Sequence, residues 1–188
     1  MSKVKLWASF HPEMVSVDEF VYKVKQLKTC IDLCAGIVAI PGDLGYVFEL
    51  RRKLPKDVYL WINAKEREET RYTKSEVISL MEVDPLFCNE LQRHRVRDSC
   101  CSAGVSSVFI RANGDVFPCH LNKNRLLNIY KEQNPVESFK CDRKFCDCYL
   151  SYSNRIDLDV GKYFGEYTYI RLPEKKIWKL YFWMLTVQ

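Results

Sequence analysis

The chain has 188 residues and a formal net charge of +5; 47% of its residues are hydrophobic and 28% charged. That balance excludes a disordered chain and supplies apolar side chains for one ordinary domain, or a domain with a small module. The basic residues are dispersed, so a nucleic-acid surface is not expected, and runs such as Arg51–Arg52–Lys53 read as a solvated helix face. The N-terminus lacks the apolar stretch of a signal peptide. The apolar-rich stretch near the end, Trp178 to Leu185, is far short of the roughly 20 residues that cross a bilayer. A cytoplasmic protein without a membrane partner is expected.

In chain order, Lys5–Phe10 reads as a strand ending at His11–Pro12. Ser16 and Glu19 have capping-box spacing, and Phe20, Val21, Val24 and Leu27 follow at helical intervals. Gly36–Ile40 is a short apolar run of the kind buried in parallel sheets. Pro41–Gly42 breaks it, and Asp43 can cap a helix with Leu44, Val47, Leu50 and Leu54 turned inward. Val58–Asn63 is a third strand, and Thr73 with Glu76 opens a third helix. Three β-α units predict a parallel sheet. They are too few to close an eight-fold barrel, so the expectation is a half-barrel, or a sheet with one edge that something must cover.

The texture changes near Arg95–Ser99. Ser106–Arg111 and Val116–Phe117 flank Asn113–Gly114, a hairpin signature that favours a type I′ turn. The sequence therefore divides into an α/β part over 1–97, a small cysteine-rich module over 98–152, and an aromatic-rich tail over 153–188 that matches no motif.

Nine cysteines are many for a cytosolic chain, and an odd count argues for metal ligation over a disulfide framework. Cys101 precedes the hairpin, Cys119 follows it, and Cys141, Cys146 and Cys148 lie within eight residues of one another. Thiolates are soft ligands that select iron–sulfur clusters or zinc. Paired C-x2-C knuckles are missing, which favours a cluster, with four-cysteine zinc as the alternative. Cys100 reads as a spare thiol, His120 as a polar loop residue, and Cys30, Cys34 and Cys88 as packing residues.

The segment Cys101–Gly104, Asn113–Val116, Cys119–His120, Cys141, Cys146–Cys148 resembles the SPASM/twitch-type auxiliary-cluster module of radical S-adenosylmethionine proteins. The strings Val58–Ala64 and Asp84–Phe87 are similar to the C-terminal half-barrel of the same family, so the resemblance covers residues 4 to 152. It implies an auxiliary [4Fe–4S] cluster that anchors substrate or passes electrons, and radical chemistry on a peptide or small molecule. One departure is decisive for activity. The family's C-x3-C-x2-C motif is absent, since Cys30-x3-Cys34 is followed at the third position by Ile37. The isolated chain is therefore not expected to cleave S-adenosylmethionine. A second polypeptide would have to supply the N-terminal half-barrel, and the cofactor with it. The alternatives are a binding subunit stabilised by zinc or a cluster, and a truncated or degenerate gene product. The carboxyl ends of the strands nominate Asn63 as a weak cofactor-binding candidate, ahead of His11, Gly42 and Asp43.

Overall fold

The computed structural model describes residues 5–65, 72–91, 94–95, 101–132, 141, 143, 145–146, 154 and 156. It is a mixed α/β structure in two compact units, the second spanning Arg93–Val160. The first contains, in order, β1 (Lys5–Ser9), α1 (Val17–Lys28), β2 (Asp32–Ala39), α2 (Gly45–Lys53), β3 (Leu60–Ala64) and α3 (Lys74–Val83), then a 3-10 turn over Phe87–Leu91. The three strands form one parallel sheet in the order β1-β2-β3. Among the described residues, no helix is long and apolar enough to cross a membrane.

Local chemistry explains the helix boundaries. The Ser16 Oγ accepts from the Glu19 N–H at α1. At α3, Thr73 and Glu76 form a reciprocal capping box, satisfying donors that a helix start leaves unpaired. Glu76 also accepts from the Gly42 N–H at 2.6 Å, which fastens the turn after β2 to the start of α3. Asp43 is not the cap of α2. Leu44 occupies that position without a side-chain bond, because Ile40 to Asp43 is closed by a backbone turn with Gly42 at φ 80°. Arg51 departs from the solvated face expected of it. Its guanidinium donates to the carbonyls of Leu54, Pro55 and Val58, acceptors freed where α2 ends. Leu27, at the same helical spacing as the buried Phe20, Val21 and Val24, is exposed.

The sheet has two different faces. Leu33, Ala35, Ile37 and Ala39 alternate with Cys34, Gly36 and Val38, and β3 contributes Leu60, Ile62 and Ala64 to the first set. Phe10, on that same side, meets Phe20 of α1 at 5.3 Å and Tyr46 of α2 at 5.8 Å, so this is the helix-covered face. On the other face Trp7 and Trp61 stack with centroids 4.7 Å apart and planes within 8°. The bare Gly36 lies beneath them, and a Cβ there would run into the Trp7 indole nitrogen.

The outer edge of β3 ends on Asp84, a fully buried carboxylate. It accepts from the Ile62 N–H at 2.9 Å, the Leu86 N–H at 3.0 Å and the Tyr59 hydroxyl. A donor that would otherwise face a missing strand is thereby satisfied.

The second unit is built from short strands: β4 (His94–Arg95), β5 (Phe109–Ile110), β6 (Asp115–Phe117), β7 (Leu127–Asn128) and β8 (Phe145–Cys146). β5, β6 and β7 form an antiparallel sheet, and β4 pairs with β8. The β5–β6 turn is not type I′. Gly114 N–H donates to the Arg111 carbonyl, Arg111 N–H to the Asp115 carbonyl, and Gly114 alone takes the left-handed role at φ 85°. That is a three-residue loop with its glycine at the bulge, stabilised by the Asn113 side chain accepting from the Asp115 N–H.

Two substitutions test these constraints. Asp84→Ala strands three donors and is expected to cost about 3 kcal/mol, read from the urea unfolding midpoint. Gly36→Ala displaces the Trp7 indole. The expected loss is about 2 kcal/mol, with a changed near-ultraviolet circular dichroism signal from the separated tryptophan pair.

Candidate metal centre

Four of the five nominated thiols fall in the described part of the second unit; Cys148 lies outside the described residues, as does Cys100. Cys119 stands two residues past β6, on the chain that leaves the hairpin sheet. Its carbonyl accepts from the Asn122 N–H at 3.3 Å, closing a turn whose Asn122 is itself buried. Cys146 ends β8, directly opposite His94 in the β4–β8 register. Cys141 opens the same segment.

Cys101 begins a turn in which Gly104 (φ 87°) donates to the Ser107 carbonyl at 2.7 Å. Asn154, buried and downstream of the last cysteine, closes this turn from outside. Its main-chain carbonyl accepts from the Ser102 N–H at 2.9 Å, and its side-chain oxygen from the Ser107 hydroxyl at 2.7 Å. Arg143 makes the other cross-connection, donating to the Leu121 carbonyl at 3.4 Å. Three stretches of chain far apart in sequence are thus fastened together by main-chain and side-chain bonds.

Cys101, Cys119, Cys141 and Cys146 are each half-buried, and none is in a disulfide. Burial pushes the Cys101 thiol up, and the nearby charges of Cys146, Cys141 and Cys119 push it further, against a lowering bond from the Ala103 N–H. Cys119, Cys141 and Cys146 thus lie within electrostatic reach of Cys101. Among the described residues, no three His, Cys, Asp or Glu side chains form a group that could hold a metal ion as they stand. The donor types themselves suit a thiolate-bound iron–sulfur cluster, being all sulfur and partly shielded from water.

The other nominations fare differently. Asn63 sits on β3 opposite Val38, on the Trp61 face, and its Oδ1 is buried without a hydrogen-bond partner among the described residues. His11 is exposed and faces Glu13 at 3.4 Å. Cys34 is fully buried within β2, as a packing residue would be, and Ile37 is buried on the same strand. Cys30 is exposed, not packed, because the strand begins only at Asp32. Cys88 is half-buried. His120 meets Phe109 edge-on, with centroids 6.3 Å apart. Sequence reading missed Arg143 and Asn154, although the place of Arg143 between two cysteines was a signal for it.

No protein-family model, curated protein or solved structure matches this chain.

The raised Cys101 thiol gives a direct check on the metal-free chain. A raised value leaves less thiolate at pH 8, so alkylation of Cys101 should trail that of the exposed Cys30. The expected ratio is on the order of tenfold, narrowing as pH rises through the folded-state value of Cys101. Peptide mass mapping of timed alkylation reads both sites in one sample.

Proposed function

We propose that Cys101, Cys119, Cys141 and Cys146, with Cys148 as an alternative ligand, hold an auxiliary [4Fe–4S] cluster. We further propose that the chain is the C-terminal part of a radical S-adenosylmethionine protein. On this reading the first unit is a partial barrel, the second is the cysteine-rich auxiliary module, and a second polypeptide supplies the N-terminal half. What supports the proposal is that four half-buried thiols come from three separate stretches of one compact unit, and that Cys119, Cys141 and Cys146 act electrostatically on Cys101.

The physical support is electrostatic. The neighbouring thiols oppose the ionisation of Cys101, and a multivalent metal centre that replaces its proton removes that penalty. Sulfur-only donors do not suit hard cations such as magnesium or calcium. A [4Fe–4S] cluster takes one thiolate on each of four irons, whereas structural zinc draws four ligands to one atom at about 2.3 Å. When bound, the cluster supplies an electron-transfer centre, or an iron that can take a substrate group. The chain's own contribution is to shield the thiolates from water and fix their spacing through the Asn154 and Arg143 connections. Substrate would be a peptide or small molecule, with Asn63 offering a buried acceptor on the tryptophan face of the sheet.

Metal and sulfide content after anaerobic purification or reconstitution tests the proposal. The expected result is about four irons and four sulfides per chain, with broad absorption near 400 nm. Both should be lost in Cys101→Ser with Cys146→Ser and retained in Cys30→Ser. One zinc without sulfide would establish a structural zinc module and reduce the radical-enzyme connection to ancestry.

A further inference from the structure

We propose that β5 is a self-association edge, on which the same strand of a second copy of this chain pairs antiparallel about a two-fold axis at Phe109. The Arg111 N–H donates to the Asp115 carbonyl, so the backbone groups of Arg111 and Phe109 face β6, where Phe109 pairs with Phe117. The Val116 carbonyl accepts from the Leu126 N–H and so faces β7. By the same alternation the N–H and carbonyl groups of Val108 and Ile110 point away from β6. Among the described residues no strand lies beyond them, since β5 is an outer strand in the order β5-β6-β7. The side chains are as open as the backbone: Val108, Phe109 and Ile110 are 44%, 39% and 48% exposed.

Open edges are ordinarily guarded by a charge, a proline, a bulge or a covering turn. The opposite edge of this sheet has such a guard. The Asn128 carbonyl on β7 accepts from the N–H groups of Lys131 and Glu132, and the Asn128 side chain accepts from the Tyr130 N–H, so the following turn occupies it. β5 is unguarded. The chain from Val105 to Ile110 carries no charge, and the Arg111 guanidinium lies over the Phe117 ring, 4.4 Å from its centroid. A second copy fits because the outward groups complement themselves. Val108 of one copy pairs with Ile110 of the other, and the two-fold repeats the pair, so every outward donor meets an outward acceptor. Phe109 then faces Phe109 of the second copy at the close, non-hydrogen-bonded position, where aromatic pairs are stabilising. Charge favours the same register. Antiparallel pairing sets Arg111 across from Ser107, with the two arginines at opposite ends, whereas parallel pairing would set them side by side. Both copies use the same edge, so the dimer closes and does not propagate.

Analytical ultracentrifugation of the full chain over a range of concentrations, with amide hydrogen exchange read by NMR, tests the pairing. So small an interface predicts reversible dimerisation with a dissociation constant on the order of 0.1 mM. The Val108 and Ile110 amides should exchange more slowly as concentration rises. Phe109→Lys and Phe109→Glu each set like charges directly opposite and should weaken association about tenfold. Mixed in equal parts, the two variants should associate again, because opposite charges then face each other. Ile78→Lys, which removes an exposed apolar side chain from α3, should associate as wild type does. A wild-type chain that stays monomeric to about 1 mM, tenfold above that constant, overturns pairing with a second copy and leaves the edge to a strand of another protein. Undiminished association of Phe109→Lys, or two folded variants that do not associate when mixed, would overturn it as well. Should both variants fail to fold, exchange at Val108 and Ile110 that ignores wild-type concentration would overturn it equally.

Discussion

The first unit depends on a carboxylate that never meets water. Asp84 closes the turn after α3 and reaches the outer edge of β3, accepting from the Ile62 N–H, the Leu86 N–H and the Tyr59 hydroxyl. A three-stranded parallel sheet exposes unpaired backbone groups along both edges, and such edges are ordinarily covered. Here a single side chain takes the place of a neighbouring strand at one donor. The 3-10 turn follows at once, seating the fully buried Phe87 against Tyr72 at 5.3 Å. Tyr72 in turn donates to the Ala39 carbonyl and accepts from the Lys65 N–H, joining the carboxyl ends of β2 and β3. One buried side chain thus orders the strand edge, and the bonds of Tyr72 and Glu76 order the strand ends.

The second unit solves a different problem. Its strands are two or three residues long, so regular hydrogen bonding contributes little, and its described core is small: Ala103, Val116, Phe117 and a few buried asparagines. Asn128 donates to the Asn113 carbonyl and to Asp115, while its own oxygen accepts from the Tyr130 N–H. Side-chain amides of this kind replace the missing ladder, satisfying turn backbone that would otherwise be buried unpaired. A unit held this way has limited apolar burial to stabilise it, which is the circumstance in which small modules are commonly completed by a metal. Cys101, Cys119, Cys141 and Cys146 lie in this unit and not in the better-packed sheet.

Much of the first unit was legible in the residues. Capping boxes at Ser16 and Thr73 marked two helix starts because they are local, three-residue interactions that survive in any tertiary setting. The apolar run at Gly36–Ile40 marked β2, but its true start at Asp32 was hidden. Cys30 to Ala35 is apolar enough to read as a helix end, and only pairing of Lys5 through Ser9 with Asp32 through Gly36 extends the strand. Asp43 and Arg51 were misread for one reason. Whether a polar side chain caps, bridges or faces water depends on which carbonyls and N–H groups the folded chain brings near it. The hairpin was legible from Asn113–Gly114, whereas its turn type was decided by how Arg111 and Asp115 pair across it.

The sequence by itself determined the alternation of strands and helices, the parallel order that follows from it, and the soft-ligand character of the cysteine set, because these depend on periodicity, local capping and side-chain chemistry. Tertiary structure alone decided which cysteines share a neighbourhood and how half-buried each is. It also revealed that Arg143 and Asn154 connect the segments carrying them, and that Trp7 and Trp61 stack over Gly36. Those facts are distances between residues up to 54 positions apart in the chain. No local preference encodes them, since they arise only when pairing register and loop closure have fixed where each segment lies.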